Sequence, residues 1–283
     1  MGTQVTCTTI AELSDALVPH WRTGAAIGLV PTMGALHEGH LSHVRRARAR
    51  DEVVVASVFV NPTQFGPSED LARYPRTPER DAALLEAEGV DVLFMPSAEE
   101  MYPPGFATRV EVGRIGEVLE GASRPGHFAG VATVVLKLFQ LVRPTRAYFG
   151  QKDAQQLAVI RQMVRDLNLP VEIVAGPTIR EPDGLAMSSR NAYLSPAERR
   201  AATVLYHTLT AARDRYNAGE RDAEALRHVM HKTVSEETLA RLDYAEVVGA
   251  DTMEPPTMVE AGALLVIAAR IGTTRLIDNM ALD

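Results

Sequence analysis

Short apolar runs alternate with breaker-free segments along the chain as far as Ala175, and this alternation constrains the fold more than any other feature. The run Ala26–Val30 stops at a proline, and Val53–Val60 is rich in β-branched residues and stops at Asn61-Pro62, so both are predicted to be strands. Strand, helix and strand repeated with short links predict an α/β fold: a Rossmann-like parallel sheet with helices on both faces. The predicted strands are 26–30, 53–60, 90–95, 147–149 and 171–175, and the predicted helices are 40–50, 78–88, 131–142 and 154–167.

The chain changes character after Ile179. Two amphipathic helices are predicted there, followed by three strands without intervening helices. This order predicts a smaller α+β C-terminal domain, and the division predicted from sequence is 1–182 and 183–283. The predicted helices are 196–217 and 222–237, and the predicted strands are 244–248, 264–269 and 274–280.

Composition narrows the class of protein. Of the 283 residues, 46% are hydrophobic and 23% are charged, which is typical of soluble proteins. No apolar run reaches the roughly 18 residues of a membrane span, and the first ten residues lack the pattern of a signal peptide. The lone Cys7 excludes an internal disulfide and fits a reducing cytoplasm, while the net charge of −7 argues against nucleic-acid binding. We therefore expect a cytoplasmic protein with small-molecule partners, and no nucleic acid or membrane.

Three polar segments each follow a predicted strand: Pro31–His40, Asn61–Gly66 and Gly150–Asp153. The carboxyl ends of parallel strands lie at one edge of a sheet, and ligands of such sheets bind there. The segments therefore predict a binding site at that edge.

The first segment contains His37 and His40, which are three residues apart and share a face near a helix start. Its glycines let a backbone approach a ligand closely, and free N–H groups at a helix amino end favour phosphate. Nucleotide binding is one interpretation, and a histidine pair used for capping or packing is the other. A metal pair is disfavoured because no third His or Cys follows at a ligand spacing.

Two further segments carry cations. Lys152 offers a point charge for phosphate and Asp153 can accept from ribose hydroxyls, although the Gly-rich span of a Walker loop is missing. No G-x-G-x-x-G follows the first strand, which disfavours a nicotinamide dehydrogenase. The hydroxyls and guanidinium of Met187–Asn191 suit phosphate oxygens, but a turn followed by a helix cap is the preferred interpretation of that segment in isolation.

Neutral amides form the last group. Asn61, Gln64, Gln155 and Gln156 can hold a hydroxyl or carboxylate without adding charge. The alternatives are turn chemistry for Asn61 and a solvated helix face for the two later glutamines, which is the preferred interpretation for Gln155. His127 is either a loop donor or a structural histidine with its hydrogen bonds satisfied.

Together these segments resemble pantothenate synthetases, a family of the nucleotidylyltransferase superfamily. They occur in the family's order across most of the chain, and one variation is Gln151, where Glu is also common in the family. The matching stretches are PTMGALHEGHL (31–41), VFVNPTQFG (58–66), YPRT (74–77), HFAGVATVVLKL (127–138), YFGQKD (148–153) and DGLAMSSRNAY (183–193).

The resemblance implies an ATP-dependent ligase that condenses pantoate with β-alanine through a pantoyl-adenylate, with release of AMP and pyrophosphate. It implies a homodimer, ATP as a substrate and Mg²⁺ as a cofactor. The metal ligands are not identifiable from sequence. Asp81 is a candidate on a helix that is equally well interpreted as surface.

The resemblance also assigns residues. His37, His40, Lys152 and Arg190 are implied to be catalytic, with His40 as proton donor. Pantoate is implied to contact Asn61, Gln64 and Gln156, with Val134 and Val135 against its methyl groups, and Gln64 is also implied to lie near the β-alanine site. The residues implied to bind ATP are Met33, Gly34, Ala35, Leu36, His37, Glu38, Gly39, His40, Gly150, Gln151, Lys152, Asp153, Ile179 (through its backbone, to adenine), Met187, Ser188, Ser189 and Arg190.

Overall fold

The computed structural model describes residues 3–67 and 69–283, and the chain forms two compact units. Unit 1 comprises Met1–Gly150 and Val159–Gly176, and unit 2 comprises Gln151–Ala158 and Pro177–Asp283. The division predicted at residue 182 differs from these units in where it places 151–158 and 177–182. Those residues belong to unit 2 because Arg180 and the Gln151–Lys152 backbone are bonded to its last strand.

Unit 1 contains a six-stranded sheet in which every neighbouring pair is parallel. The spatial order is β1-β4-β3-β2-β5-β6. Later strands therefore extend to one side of β2 as β3 and β4, and to the other side as β5 and β6. Such a reversal opens a crevice at the carboxyl ends of β2 and β5, where ligands of open α/β sheets bind. The strands are β1 (Val5–Cys7), β2 (Ile27–Thr32), β3 (Val53–Val58), β4 (Val92–Phe94), β5 (Arg146–Gly150) and β6 (Glu172–Gly176).

Helices cover both faces of this sheet, as the sequence predicts. On one face, Val30 and Val54 of the strands pack in one core cluster with Val44 and Leu85 of two helices. On the other face, Phe149 meets the ring of Phe139 at 6.4 Å between centroids. Alternate strand residues thus point to opposite faces, and both sides are buried. The helices are α1 (Ile10–Thr23), α2 (Glu38–Arg48), α3 (Pro78–Ala87), α4 (Ala98–Met101), α5 (Glu120–Ser123), α6 (His127–Val142) and α7 (Ala154–Asp166), whose first five residues belong to unit 2.

The carboxylate of Asp51 fixes β5 within the sheet. It accepts hydrogen bonds from Arg146 Nη1 at 2.8 Å and from the Tyr148 hydroxyl at 2.5 Å. Burial, together with the adjacent Asp51 carboxylate, raises the pKa of Tyr148 well above its usual range. A side chain at Gly28 of β2 would place its Cβ 2.5 Å from Asp51 Oδ2, so this strand approaches the carboxylate at a residue without a side chain.

Unit 2 packs an antiparallel sheet against helices, as the predicted α+β class requires. The sheet order is β7-β8-β9, and its core joins Leu205, Leu226 and Ile267. The predicted single helix 196–217 is broken at Ala202–Thr203 into two shorter helices. The elements are α8 (Pro196–Ala201), α9 (Val204–Asn217), α10 (Ala223–Ser235), β7 (Ala240–Val248), β8 (Leu264–Ile271) and β9 (Thr274–Ala281).

Candidate active site

The three polar segments singled out in the sequence follow β2, β3 and β5, which are neighbours at the centre of the sheet. The segments after β2 and β3 touch within unit 1, where Gln64 Nε2 lies 3.0 Å from Met33 Sδ. The third segment leaves β5 at Gly150, and its following residues belong to unit 2.

The loop after β2 is held by Asp81, a residue of α3. Gly34 and Ala35 have φ of 82° and 50°, a conformation that side chains disfavour. Asp81 accepts from the Ala35 N–H at 2.8 Å and the Leu36 N–H at 2.9 Å, and also from the Thr77 hydroxyl at 3.1 Å. Its side chain is fully buried, so the interpretation as a surface residue is wrong. Asp81 stabilises a strained loop.

His37 and His40 lie at the start of α2 with their ring centroids 4.1 Å apart. His37 Nδ1 accepts from the Gly39 N–H at 3.2 Å, and His40 Nδ1 accepts from the His37 N–H at 3.3 Å. An Nδ1 atom that accepts a hydrogen bond carries no proton, so each neutral ring has its proton on Nε2. The capping interpretation is confirmed, and the same bonds make both Nε2 atoms donors.

The loop amides differ from the sequence expectation of free N–H groups. Gly34 N donates to Thr32 Oγ1 at 3.2 Å, and the next two amides donate to Asp81. The amides of His37 and Gly39 donate to the histidine rings. Because these five amides are satisfied within the chain, an anion at this loop must be bound chiefly by side chains.

Asn61 and Gln64 bracket a 3₁₀ turn, Pro62–Gln64, after β3. Both amides are buried, and Asn61 Nδ2 donates to Gln64 Oε1 at 3.1 Å and to the Gly130 carbonyl at 3.2 Å. A Cβ on Gly130 would lie 2.3 Å from the Thr63 carbonyl oxygen, so α6 contacts the turn directly through backbone. Asn61 is therefore a structural cap, and it also fixes the rotamer of Gln64.

His127 holds the same turn from the first residue of α6. Its Nδ1 lies 2.8 Å from the Gln64 carbonyl oxygen and its Nε2 lies 3.1 Å from Arg124 Nη1. Arg124 is paired with Glu69 at 2.5 Å. Burial, reinforced by the Arg124 charge, lowers the pKa of His127 to about 4, so the ring is neutral and donates from Nδ1. Of the two interpretations left open, the satisfied structural histidine is confirmed.

Val134 and Val135 are buried on α6, with exposures of 6% and 5%. Val134 lies one turn beyond Gly130, which accepts from Asn61, so it lies on the helix face towards the amide turn. Unit 1 thus brings the histidine loop, the amide turn and an apolar stretch of α6 together.

In unit 2, Gln151–Asp153 form a 3₁₀ turn that leads into α7. Lys152 Nζ lies 3.6 Å from Asp153 Oδ1. Asn279 of β9 donates from Nδ2 to the carbonyls of Gln151 and Lys152, at 2.9 and 2.7 Å. Gln155 is buried, which contradicts the solvated face expected for it, and Gln156 is half-buried.

The second cationic segment begins with a short hairpin. The Met187 N–H donates to the Ile179 carbonyl at 2.9 Å, and Ser188 caps the 3₁₀ turn Ser189–Tyr193 by accepting from the Arg190 N–H at 3.3 Å. The turn-and-cap interpretation of this segment is therefore confirmed. Arg180 anchors the hairpin through a bidentate pair with Asp278, at 2.6 and 3.0 Å.

Residues 3–67 and 69–283 contain neither a metal-ligand cluster nor a membrane-spanning helix. No group of three or more His, Cys, Asp or Glu side chains there is arranged to hold a metal ion. None of the helices in that part of the chain combines the length and apolarity that crossing a membrane requires.

Cys7 is buried, and the pKa of its thiol is raised by burial and then by Glu12, which makes the thiol a poor nucleophile.

A parallel sheet whose strand order reverses beside polar turns defines the class as an α/β protein with a ligand site at the carboxyl ends of its strands. Residues 5–281 match the family described as pantoate-beta-alanine ligase. The chain belongs to this family. It is an enzyme that condenses pantoate with β-alanine to give pantothenate.

Known proteins agree over nearly the whole length. A pantothenate synthetase from Roseiflexus sp. is 62% identical over 276 residues, which are 98% of this chain and 98% of that protein. The crystal structure of pantothenate synthetase from Thermus thermophilus is 52% identical, covers 99% of both chains and has a TM-score of 0.94. The pantoate-beta-alanine ligase from Francisella tularensis, crystallised with beta-gamma ATP and beta-alanine, is 36% identical with a TM-score of 0.81, and the match covers 98% of this chain and 97% of that one.

Proposed function

We propose that the chain forms pantothenate through a pantoyl-adenylate, with the Nε2 donors of His37 and His40 stabilising the charge that develops on ATP. The observation that carries this proposal is the pair of Nδ1 acceptor bonds, which leave the proton of each neutral ring on Nε2. Donors fixed in advance toward developing charge are the largest single source of rate enhancement in many enzymes.

Adenylation makes a carboxylate reactive, because its oxygen is otherwise a poor leaving group. A pantoate carboxylate oxygen attacks the α-phosphorus of ATP, and the bond to pyrophosphate breaks. The β-alanine amine then attacks the acyl carbon, the bond to AMP breaks, and the amine loses a proton. No enzyme nucleophile is needed, so catalysis comes from positioning and electrostatics.

We assign pantoate to the amide turn of unit 1. Gln64 offers a neutral amide whose rotamer Asn61 fixes, and Val134 supplies an apolar surface for the methyl groups. Val135 and Gln156 keep their proposed pantoate contacts. Asn61 acts mainly through Gln64, because its own amide and carbonyl are bonded to Gln64, Gly130, Thr63 and Tyr102. Gln64 is also proposed to lie near β-alanine.

We assign ATP to the segments 33–40, 150–153, 179 and 187–190. Lys152 and Arg190 supply cations for phosphate, and Ser188 and Ser189 supply hydroxyls. Mg²⁺ would enter as part of the ATP substrate, held by phosphates and water, since no cluster of protein ligands exists in the described part of the chain. His40 remains the proposed proton donor.

Pantoate-dependent exchange of pyrophosphate into ATP tests the assignment. We expect His40→Ala and Lys152→Ala each to lower the exchange rate by about a hundredfold or more, as for loss of a transition-state donor. Gln64→Ala should mainly raise the KM for pantoate. Wild-type exchange in His40→Ala and Lys152→Ala would remove the catalytic roles, and unchanged pantoate affinity in Gln64→Ala would remove the recognition role.

Assembly and location follow from the resemblance. We propose a homodimer in the cytoplasm, in the pathway that leads to coenzyme A. Multi-angle light scattering of the purified protein measures the mass directly, and a mass equal to one chain of 30.8 kDa would overturn the dimer.

A further inference from the structure

Two neighbouring residues of β9 hold the two cationic segments of unit 2. Asp278 pairs with Arg180, which anchors the Ile179–Met187 hairpin. Asn279 bonds the backbone of the turn that carries Lys152. Both β9 side chains are almost fully buried, with exposures of 3% and 4%. Neither residue is distinctive in the sequence.

We propose that Asn279 is a positioning residue for the reaction. By holding the turn from which the Lys152 side chain extends, Asn279 sets the position of the Lys152 ammonium. This inference rests on the proposed role of Lys152 in adenylation. The Asn279 side chain is 4% exposed and its amide is bonded to the turn, so we expect any effect on the reaction to pass through the turn.

The chemistry of the contact requires an amide. A primary amide carries two N–H donors, and Asn279 directs them at two consecutive carbonyl oxygens, those of Gln151 and Lys152. Its Oδ1 faces Gln151 Nε2 at 3.5 Å. A carboxylate at this position would set acceptor against acceptor, and an apolar side chain would remove both donors from the two carbonyls.

The contact also fixes the origin of the Lys152 side chain. The two carbonyls belong to the peptide groups on either side of the Lys152 Cα, so the two bonds hold both groups, whereas one bond would leave the other free to rotate. A lysine side chain has four rotatable bonds, so the position of its ammonium group depends on how firmly its backbone is held. A displacement of about 1 Å at a reacting group can cost about a hundredfold in rate.

A double-mutant cycle tests the proposal with full-length protein and pantoate-dependent ATP–pyrophosphate exchange. We expect Asn279→Ala to lower the exchange rate by about ten- to a hundredfold in the parent protein. In the Lys152→Ala background the same substitution should change the rate by less than about threefold, because residues that act through one another are not additive. Asn279→Ser, which keeps one donor, should give an intermediate loss.

Asp243→Asn is the matched control. It removes the charge that pairs at 2.6 Å with Arg275, which lies four residues before Asn279 on β9, so exchange should stay within about twofold of the parent protein. If Asn279→Ala does not fold, Asn279→Ser carries the same cycle. An equal fold-loss from the Asn279 substitution in both Lys152 backgrounds would overturn the positioning role alone. A parent-like rate in Lys152→Ala would overturn the role of Lys152 first, and the positioning role with it.

Discussion

The two units hold their functional turns with opposite hydrogen-bonding groups. In unit 1 the buried carboxylate of Asp81 accepts from the backbone N–H groups of Ala35 and Leu36. In unit 2 the buried amide of Asn279 donates to the backbone carbonyls of Gln151 and Lys152. The side chains are nearly the same size and shape, but they differ in charge and in the direction of the bonds.

This difference shows which groups each turn can still present to a ligand. Five amides of the unit 1 loop are bonded within the chain, so under the proposed function its donors to phosphate are the imidazole Nε2 atoms of His37 and His40. In the turn of unit 2, two carbonyls accept hydrogen bonds from Asn279. Their partial negative charge is therefore directed at that amide and would not repel a phosphate near Lys152. In both cases the buried partner removes one kind of backbone group from the site.

The largest effect is expected from Asp81→Asn. This substitution replaces the accepting carboxylate of unit 1 with an amide like that of Asn279 in unit 2. The new amide keeps one acceptor oxygen but sets its N–H₂ group against a loop N–H, and an unsatisfied buried donor costs about 1–3 kcal/mol. Displacement of His37 and His40 should lower pantoate-dependent exchange about a hundredfold. Trp21, the lone tryptophan, lies in α1 of unit 1, so its fluorescence during urea unfolding measures the stability loss. Parent-like unfolding and exchange would contradict the role of Asp81.

A pH-dependent effect is expected from His127, whose pKa lies at about 4 in the folded chain, against an ordinary value of 6.5. The unfolded chain therefore binds a proton on His127 more readily than the folded chain does. The stabilisation that neutral His127 contributes is fully present above pH 6.5 and is lost as pH falls toward 4. Between pH 7 and pH 5 this amounts to about 2 kcal/mol. His127→Gln, which can still donate to the Gln64 carbonyl, should flatten that decline in Trp21-monitored unfolding. Equal slopes for the two proteins would show that His127 is not the group responsible.

A smaller effect is expected from Thr77→Val. The substitution removes the hydroxyl that donates to Asp81 at 3.1 Å and leaves both backbone donors in place. Loss of one neutral donor to a carboxylate should lower the free energy of unfolding by about 1 kcal/mol and change exchange by less than about threefold. A loss as large as that of Asp81→Asn would mean that the backbone bonds of Asp81 contribute little.

The smallest effect is expected from Asp214→Asn in unit 2. Its ion pair with Arg213 lies on the surface, with the carboxylate side chain 61% exposed, and it touches no functional turn. Exposed pairs of this kind contribute little, so both unfolding and exchange should stay within about 0.5 kcal/mol and twofold of the parent values. A larger change would show that surface charge, and not only the buried hydrogen bonds of Asp81 and Asn279, determines stability and activity.

The sequence predicts the features that depend on local pattern. The alternation of apolar runs predicts five of the six strands of unit 1, β2 to β6, and three of them are followed by polar segments at neighbouring strand ends. Strand β1 and helix α1 are not among the predicted elements, although the capping box of Thr9 and Glu12 follows the T-x-x-E pattern that is visible in the sequence.

The buried hydrogen bonds of Asp81 and Asn279 could not be predicted from one sequence, because their partners are distant along the chain. Asp81 is 46 residues from Ala35, and Asn279 is 127 residues from Lys152. Nothing local distinguishes Asp81 from the acidic residues that often begin a helix, or Asn279 from an ordinary strand residue. The burial of Gln155 differs from the predicted solvated face for the same reason, since it depends on packing that helical periodicity does not reveal.

The close approach at Gly130 limits how the enzyme can be redesigned for bulkier acids. Saturation mutagenesis around the amide turn would find no tolerated replacement there, since even a methyl group would overlap the Thr63 carbonyl. Under the proposed pantoate assignment, a smaller side chain at Val134, one turn further along the same helix, would make room beside the amide turn and leave that backbone junction intact.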